Sequence, residues 1–239
     1  MDLSDPYDGF SKVFDRIVPE HKYQNWEAFI LSIWNKKNIF PTTLLDIACG
    51  TGKNAIRFSQ RDIEVFGIDS SLSMLSIAKA KKSSVHFTKG HFLNFNLPKK
   101  VDAAICLDFS TNYILRSDEF VDFLNRVYEN LNAKGILIFD FKPAKMFLKK
   151  EKHLANQDFT FDWVCNLEHA PFVVIDMDTY LKKENQRFKE RHIERGYTLE
   201  EIRSIVSQTQ FKTAEYYDNC QDKIPADSSE LIQVVLQKI

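Results

Sequence analysis

The stretch Thr43-Leu44-Leu45-Asp46-Ile47-Ala48-Cys49-Gly50-Thr51-Gly52-Lys53 runs from an apolar segment into the start of a helical one through a turn with two glycines. Glycine at such a turn lets the backbone bend sharply and approach a ligand closely, and the following helix offers free N–H groups to an anionic group. The whole chain holds only seven glycines, so a pair in one turn is informative. Gly67 ends the next apolar run just before Asp69, whereas Gly90, Gly135 and Gly196 fall at predicted turns and need no ligand to explain them.

Outward from this turn, short apolar runs alternate with helical periodicity. Upstream, Trp26, Phe29, Ile30, Ile33 and Trp34 recur at helical spacing within Glu20–Lys37. Strands are predicted at 43–47, 64–68, 85–88, 101–107 and 136–141, with helices at 53–61, 72–82 and 118–131 between them. The runs 101–107 and 136–141 are continuously apolar, as in strands covered on both faces. This βαβ alternation predicts an α/β fold with a doubly wound, mainly parallel, seven-stranded Rossmann-like sheet. After Phe141 the pattern changes. Segments 159–165, 173–181 and 187–195 lack intervening helices and predict a three-stranded antiparallel β insertion over the active site. A helix starts near Thr198 with Glu201 as its capping-box partner, and strands at 213–217 and 231–236 finish the sheet as a C-terminal β-hairpin. The predicted organisation is therefore 1–141 (N-terminal helices and the ligand-binding half), 142–196 (the insertion) and 197–239 (the closing helix and hairpin).

Composition excludes several classes. Lys plus Arg (32) balances Asp plus Glu (33), giving no basic field for nucleic acid or an anionic membrane. Lys79, Lys81, Lys82, Lys99 and Lys100, like the run Lys149-Lys150-Glu151-Lys152, give scattered charge only. No apolar run approaches the roughly 18 residues of a membrane span, and the acidic start Met1-Asp2-Leu3-Ser4-Asp5 is unlike a signal peptide. Cys49, Cys106, Cys165 and Cys220 lie far apart without a C-x-x-C pair, as free thiols in a reducing compartment do. These features predict a soluble cytoplasmic protein with no metal.

By spacing alone the turn fits two ligand classes. Gly50-x-Gly52-x-x-Ala55 satisfies the dinucleotide fingerprint, with Asp69 standing 19 residues beyond Gly50, close to the roughly 20 expected of a ribose-binding acid. Against a dinucleotide stand the acid Asp46 at the end of the first strand, the long helical segment before it, and the closing hairpin. The string Leu45-Asp46-Ile47-Ala48-Cys49-Gly50-Thr51-Gly52 resembles the first motif of class I S-adenosylmethionine (SAM)-dependent methyltransferases. Gly67-Ile68-Asp69-Ser70-Ser71-x-x-Met74-Leu75 resembles their second. Leu107-Asp108-Phe109-Ser110-Thr111-Asn112-Tyr113-Ile114 is similar to a bacterial small-molecule branch that includes aminosugar N-methyltransferases. So are Tyr7-x-x-Phe10-x-x-x-Phe14-Asp15, Tyr23-x-x-Trp26 and Phe188-x-Glu190-x-His192-x-x-Arg195-x-Tyr197.

The resemblance implies SAM as cofactor and S-adenosylhomocysteine (SAH) as product. It places the cofactor among Tyr23, Asp46, Ala48, Cys49, Gly50, Gly52, Asn54, Asp69, Ser70, Met74, His91, Phe92 and Leu107, with Asp69 on the ribose. The family commonly has an acid where this chain has His91, so the adenine falls to His91 itself or to the backbone of Phe92 and Leu93.

Methyl transfer from a sulfonium is an in-line displacement, in which the protein mainly aligns acceptor, methyl and sulfur. A hydroxyl acceptor needs a general base and an amine needs only to be neutral. Candidate catalytic residues are His192, Glu190, Asp108 and Asn112. Phe188, Glu190, His192 and Glu194 share one face of a strand by its two-residue period, although alternating charge is also the pattern of a solvated sheet face. The expected activity is transfer of a methyl group to nitrogen or oxygen of a small-molecule acceptor by a monomer or homodimer, with no membrane or nucleic-acid partner. Methylation of a tRNA base and SAM binding without catalysis are the alternatives.

Overall fold

The computed structural model describes residues 3–147 and 151–239; Met1, Asp2 and the Lys149-Lys150 pair of the basic run lie outside them. Two helices, α1 (Ser11–Ile17) and α2 (Glu20–Lys36), precede an alternating series. This runs β1 (Thr43–Ile47), α3 (Lys53–Ser59), β2 (Glu64–Asp69), α4 (Leu72–Ala80), β3 (His86–Lys89), β4 (Val101–Cys106), α5 (Ser117–Asn130) and β5 (Leu131–Phe141). Four strands follow, β6 (Glu151–Ala155), β7 (Phe159–Asn166), β8 (Phe172–Leu181) and β9 (Gln186–Arg195), and then α6 (Leu199–Ser207), β10 (Thr213–Asp218) and β11 (Ile232–Gln237).

The main sheet has seven strands in the order β10-β11-β5-β4-β1-β2-β3, parallel except at β11, which runs antiparallel to both β5 and β10. Its continuous apolar strands are sandwiched. On one face Phe120, Phe123, Leu124 and Val127 of α5 pack with Leu45, Leu137 and Phe139. On the other, Trp26, Ile30 and Ile33 of α2 pack with Leu44, Ala103, Ile105 and Ile136. Each such buried side chain contributes about 1.5–3 kcal/mol relative to exposure. Chain order reverses between β1 and β4, so the strand ends there form the crevice in which open α/β sheets bind ligands. Thr198 caps α6 in a full capping box with Glu201.

The insertion is an antiparallel sheet of four strands, in the order β6-β7-β8-β9, where the sequence predicts three. The additional strand, Glu151–Ala155, is an edge strand whose residues are exposed except for the partly buried Leu154. Its charged side chains suit a solvent-facing edge and conceal its strand character. Register aligns Trp163 with Met177 and Glu190, and Cys165 with Ile175 and His192, so these side chains share the inner face. That face packs with Val13 of α1 and with Phe147.

Asp102 fastens the start of β4 to the segment entering β1. Its carboxylate accepts hydrogen bonds from the backbone and hydroxyl of both Thr42 and Thr43, and from the Asn132 amide. Partial desolvation raises its pKa, but the bonds from Asn132, Thr42 and Thr43 outweigh it and bring it to about 2. A depressed carboxylate contributes stability above its unfolded pKa near 4, lost as pH falls through the folded value. Asp102→Ala is expected to lower unfolding free energy by about 1–2 kcal/mol at neutral pH, with the gap from wild type closing below about pH 3 in urea titrations.

Candidate active site

The turn after β1 crosses into left-handed backbone at Ala48 (φ 55°), Gly50 (φ 54°) and Gly52 (φ 79°). A Cβ on Gly50 would meet nothing nearer than Met74 Sδ at 4.0 Å, so that side of the turn faces open space. A Cβ on Gly52 would stand 2.5 Å from the Phe87 ring, so this glycine serves close packing of the turn on β3. Asp69 braces the turn, accepting from the Gly50 N–H at 2.8 Å and the Ser71 N–H at 2.8 Å. Burial raises the Asp69 pKa against these bonds.

The open side of the turn leads into a cavity of about 970 Å³. Its wall brings together every residue of the sequence-predicted cofactor set except Gly52, from Tyr23 and Asp46 to His91, Phe92 and Leu107. At its depth three polar atoms are buried without a partner, Asp46 Oδ2, Tyr23 Oη and Asn54 Oδ1. Asp46 is only 2% exposed. Burial raises its pKa to about 8 despite a hydrogen bond from the Ala55 backbone, and the nearby Asp69 adds to the rise. A carboxyl group with an empty oxygen in such a place gains most from a cationic ligand group.

The roof is made by the N-terminal segment and the inner face of the four-stranded sheet. Glu190 joins them. Its carboxylate accepts the backbone N–H of Tyr7 (2.7 Å), Gly9 (2.5 Å) and Phe10 (2.8 Å), and meets His192 Nε2 at 3.1 Å. Burial pushes the Glu190 pKa up, but His192 and the three amides outweigh it and hold the carboxyl below its ordinary range. His192 Nδ1 lies 3.0 Å from the Tyr113 hydroxyl. The segment is tied on its other side to the cofactor loop, by Ser73 to Asp8 and by Thr51 to Asp15, each at 2.6 Å.

Of the four candidate catalytic residues, the cavity wall includes Asp108 alone. Glu190 and His192 are each 1% exposed and belong to the roof fastening. Asn112 is fully buried, donating to the carbonyls of Lys142 and Arg195 and accepting from the Lys142 N–H. It joins the end of β5 to the end of β9. Asp108 and Phe109 adopt φ of 59° and 62°, a costly turn. It is held by buried Asp140, which accepts from both backbone N–H groups. Burial raises Asp140 to about 7, moderated by the Phe109 amide. Asp108 pairs with Lys22 at 3.5 Å.

The wall also holds groups outside the predicted set, Tyr7, Tyr113, Lys142 and Glu194. Burial raises both phenols well above their usual pKa, so both stay protonated. Glu194 continues the Glu190–His192 face, and that two-residue period was its signal. Lys142 and Tyr113 carry no periodic signal.

Comparison with known proteins bears on the cofactor. Residues 44–135 match the family model described as "Methyltransferase domain". The chain is 28% identical over 243 residues to the "Putative methyltransferase YqeM" of Bacillus subtilis (strain 168), covering 97% of each. Residues 44–135 are a methyltransferase domain, and the chain over nearly its whole length resembles the class I SAM-dependent methyltransferases.

The fold is that of a SAM-dependent methyltransferase from Clostridium acetobutylicum ATCC 824, with a TM-score of 0.83, 23% identity and 96% of each chain covered. It is also that of SAM-bound CalS10, an amino pentose methyltransferase from Micromonospora echinaspora, with a TM-score of 0.75, 15% identity, and 100% of this chain and 99% of that chain covered. SAM is the cofactor of this methyltransferase, and the cavity fits it chemically. Its amino-acid end would offer an ammonium to the unpartnered Asp46 oxygen, and its carboxylate would suit the Tyr23 hydroxyl and the nearby Lys22 and Lys53.

Two outcomes test this geometry. An acid whose folded pKa is raised loses stability as pH climbs toward that value. Asp46→Asn is therefore expected to raise the melting temperature of the ligand-free methyltransferase at pH 8, while weakening SAH binding at least tenfold by calorimetry. Glu190→Ala leaves three backbone donors unpaired and is expected to cost about 3 kcal/mol or more in urea unfolding, at about 1–3 kcal/mol per orphaned group.

Proposed function

We propose that this methyltransferase transfers a methyl group from SAM to nitrogen or oxygen of a small molecule held under the roof. The carrying observation is that one cavity contains both the cofactor loop and a further wall of Tyr7, Tyr113, Asp108, Lys142 and Glu194. About 970 Å³ is at the upper end of small-ligand sites and has room for cofactor and acceptor together. Bound SAM supplies an electrophilic methyl on a positive sulfur. The chain's own part is to align and to keep dry: the N-terminal segment, fastened by Glu190, covers the methyl-bearing end and excludes water.

Glu190, His192 and Asn112 act in this reading as positioning residues, and Asp108 stands at the acceptor. Asp69 holds the ribose, and His91 with Phe92 borders the adenine. The fold shared with an amino pentose methyltransferase favours nitrogen as the methylated atom. Free cysteines among the described residues are compatible with a reducing, cytoplasmic setting.

The test is incubation with methyl-labelled SAM and a cell extract divided into low-molecular-mass and RNA fractions. Label is expected in a low-molecular-mass product, and is lost with Asp46→Asn. Label in RNA, or stabilisation by NADH and not by SAH, overturns the reading.

A further inference from the structure

Glu194 is the carboxylate that the four-stranded sheet contributes to the cavity wall. The other acids of β8 and β9 are occupied: Glu190 by three amides, Asp176 by Arg191 at 2.7 Å, and Asp178 by Arg187 at 2.7 Å. The groups that face Glu194 come from four other elements. They are Lys142 after β5, Asp108 after β4, Tyr113 of the 3-10 turn Ser110–Tyr113, whose hydroxyl approaches it, and Tyr7 of the N-terminal segment. Tyr113 has one phenolic proton and three neighbours able to accept it, His192 Nδ1, Glu194 and the Tyr7 hydroxyl. If His192 donates from Nε2 to the acceptor-only Glu190 carboxylate, its Nδ1 takes the Tyr113 proton. Glu194 then keeps capacity for a donor from a ligand.

Apart from these polar groups and Arg191, an apolar stretch makes up much of this wall. Phe147, Trp163, Ile175 and Met177 line it from the sheet side, and Phe10 and Phe14 from the N-terminal segment. A polyhydroxylated body pressed here loses water without finding hydrogen-bond partners, at a cost of roughly 1–3 kcal/mol per hydroxyl. A hydrocarbon or aromatic body gains by the same burial.

We propose that the acceptor is an apolar amine, its hydrocarbon or aromatic body against Phe147, Trp163, Ile175 and Met177, and its nitrogen beside Glu194, whose carboxylate takes the nitrogen's proton. This rests on the reading of the cavity as a methyl-transfer site. The amine arrives as an ammonium, which has no lone pair. Glu194 accepts one proton, leaving a neutral amine and a carboxylic acid. The nitrogen lone pair forms the N–C bond as the C–S bond breaks, with that pair remaining on sulfur. The products are a methylated ammonium and the neutral thioether SAH, and the Glu194 proton passes to water when the cavity opens. Burial raises Glu194 to about 7, tempered by Lys142 and reinforced by Asp108, which suits a base working near neutrality.

The experiment titrates the SAH-loaded protein with 3-phenylpropylamine by calorimetry at pH 6 and pH 8, with 3-phenylpropanol and glucosamine as counterparts. Ionisation of Glu194 across this range is expected to tighten amine binding roughly tenfold, leaving the alcohol unchanged and glucosamine weaker than either. Glu194→Gln is expected to bind SAH as wild type does, but to lose the pH dependence and at least tenfold in amine affinity at pH 8. The wild-type comparison of amine with alcohol decides by itself if the variant does not fold. Absence of amine binding, pH-independent binding, or tighter binding of glucosamine overturns the proposal. Failure of wild type to bind SAH overturns instead the methyl-transfer reading on which it rests.

Discussion

A carboxyl group buried at the end of β1 with one oxygen unpartnered is the constraint around which this molecule is arranged. Asp46 sits where the sheet reverses direction, below a turn that three left-handed residues force open. The body of the sheet cannot satisfy it, because both faces of β1 are covered by apolar side chains. Its unpartnered oxygen can therefore be met only from the cavity. The turn, the second acid Asp69 and the ends of β2 and β4 all address that same space, which makes the site a property of the fold rather than of one loop.

A second carboxylate governs access. Glu190 differs from Asp46 in being fully served: three backbone donors and His192 surround it, so it is held ionised where Asp46 is held neutral. The contrast separates two roles for buried acids. One is a fastener, already satisfied by the protein, and the other keeps an unpartnered oxygen on the cavity side. The N-terminal segment hangs between them, tied to Glu190 above and to Thr51 and Ser73 of the cofactor side below.

Much of this was legible in the chain. Strands β1, β2, β4 and the latter half of β5 carry apolar runs because they are buried on both faces, whereas edge strand β3 buries only Phe87; Gly50 is readable because few residue types suit a left-handed turn. Thr198 and Glu201 announce α6 by local hydrogen bonding alone. What escaped depends on long-range placement. β6 is an edge strand with one inward side chain, so period-two alternation is lost in its charge. Glu190 and His192 do share an inner face, but a two-residue period cannot say whether that face meets solvent, substrate or another piece of backbone. Here it meets the amides of Tyr7, Gly9 and Phe10, far away in sequence. Asn112 likewise serves two distant carbonyls. Tyr113 and Lys142 reach the cavity through connections that no local pattern encodes.

The most direct measurement of the central claim is the number of protons released when SAH binds at pH 7, obtained from calorimetry in buffers of different ionisation enthalpy. If a neutral Asp46 ionises to meet the ligand's ammonium, close to one proton leaves per SAH bound, and the release fades as pH rises past about 8. Binding with no proton release, or with proton uptake, contradicts a site built around that acid.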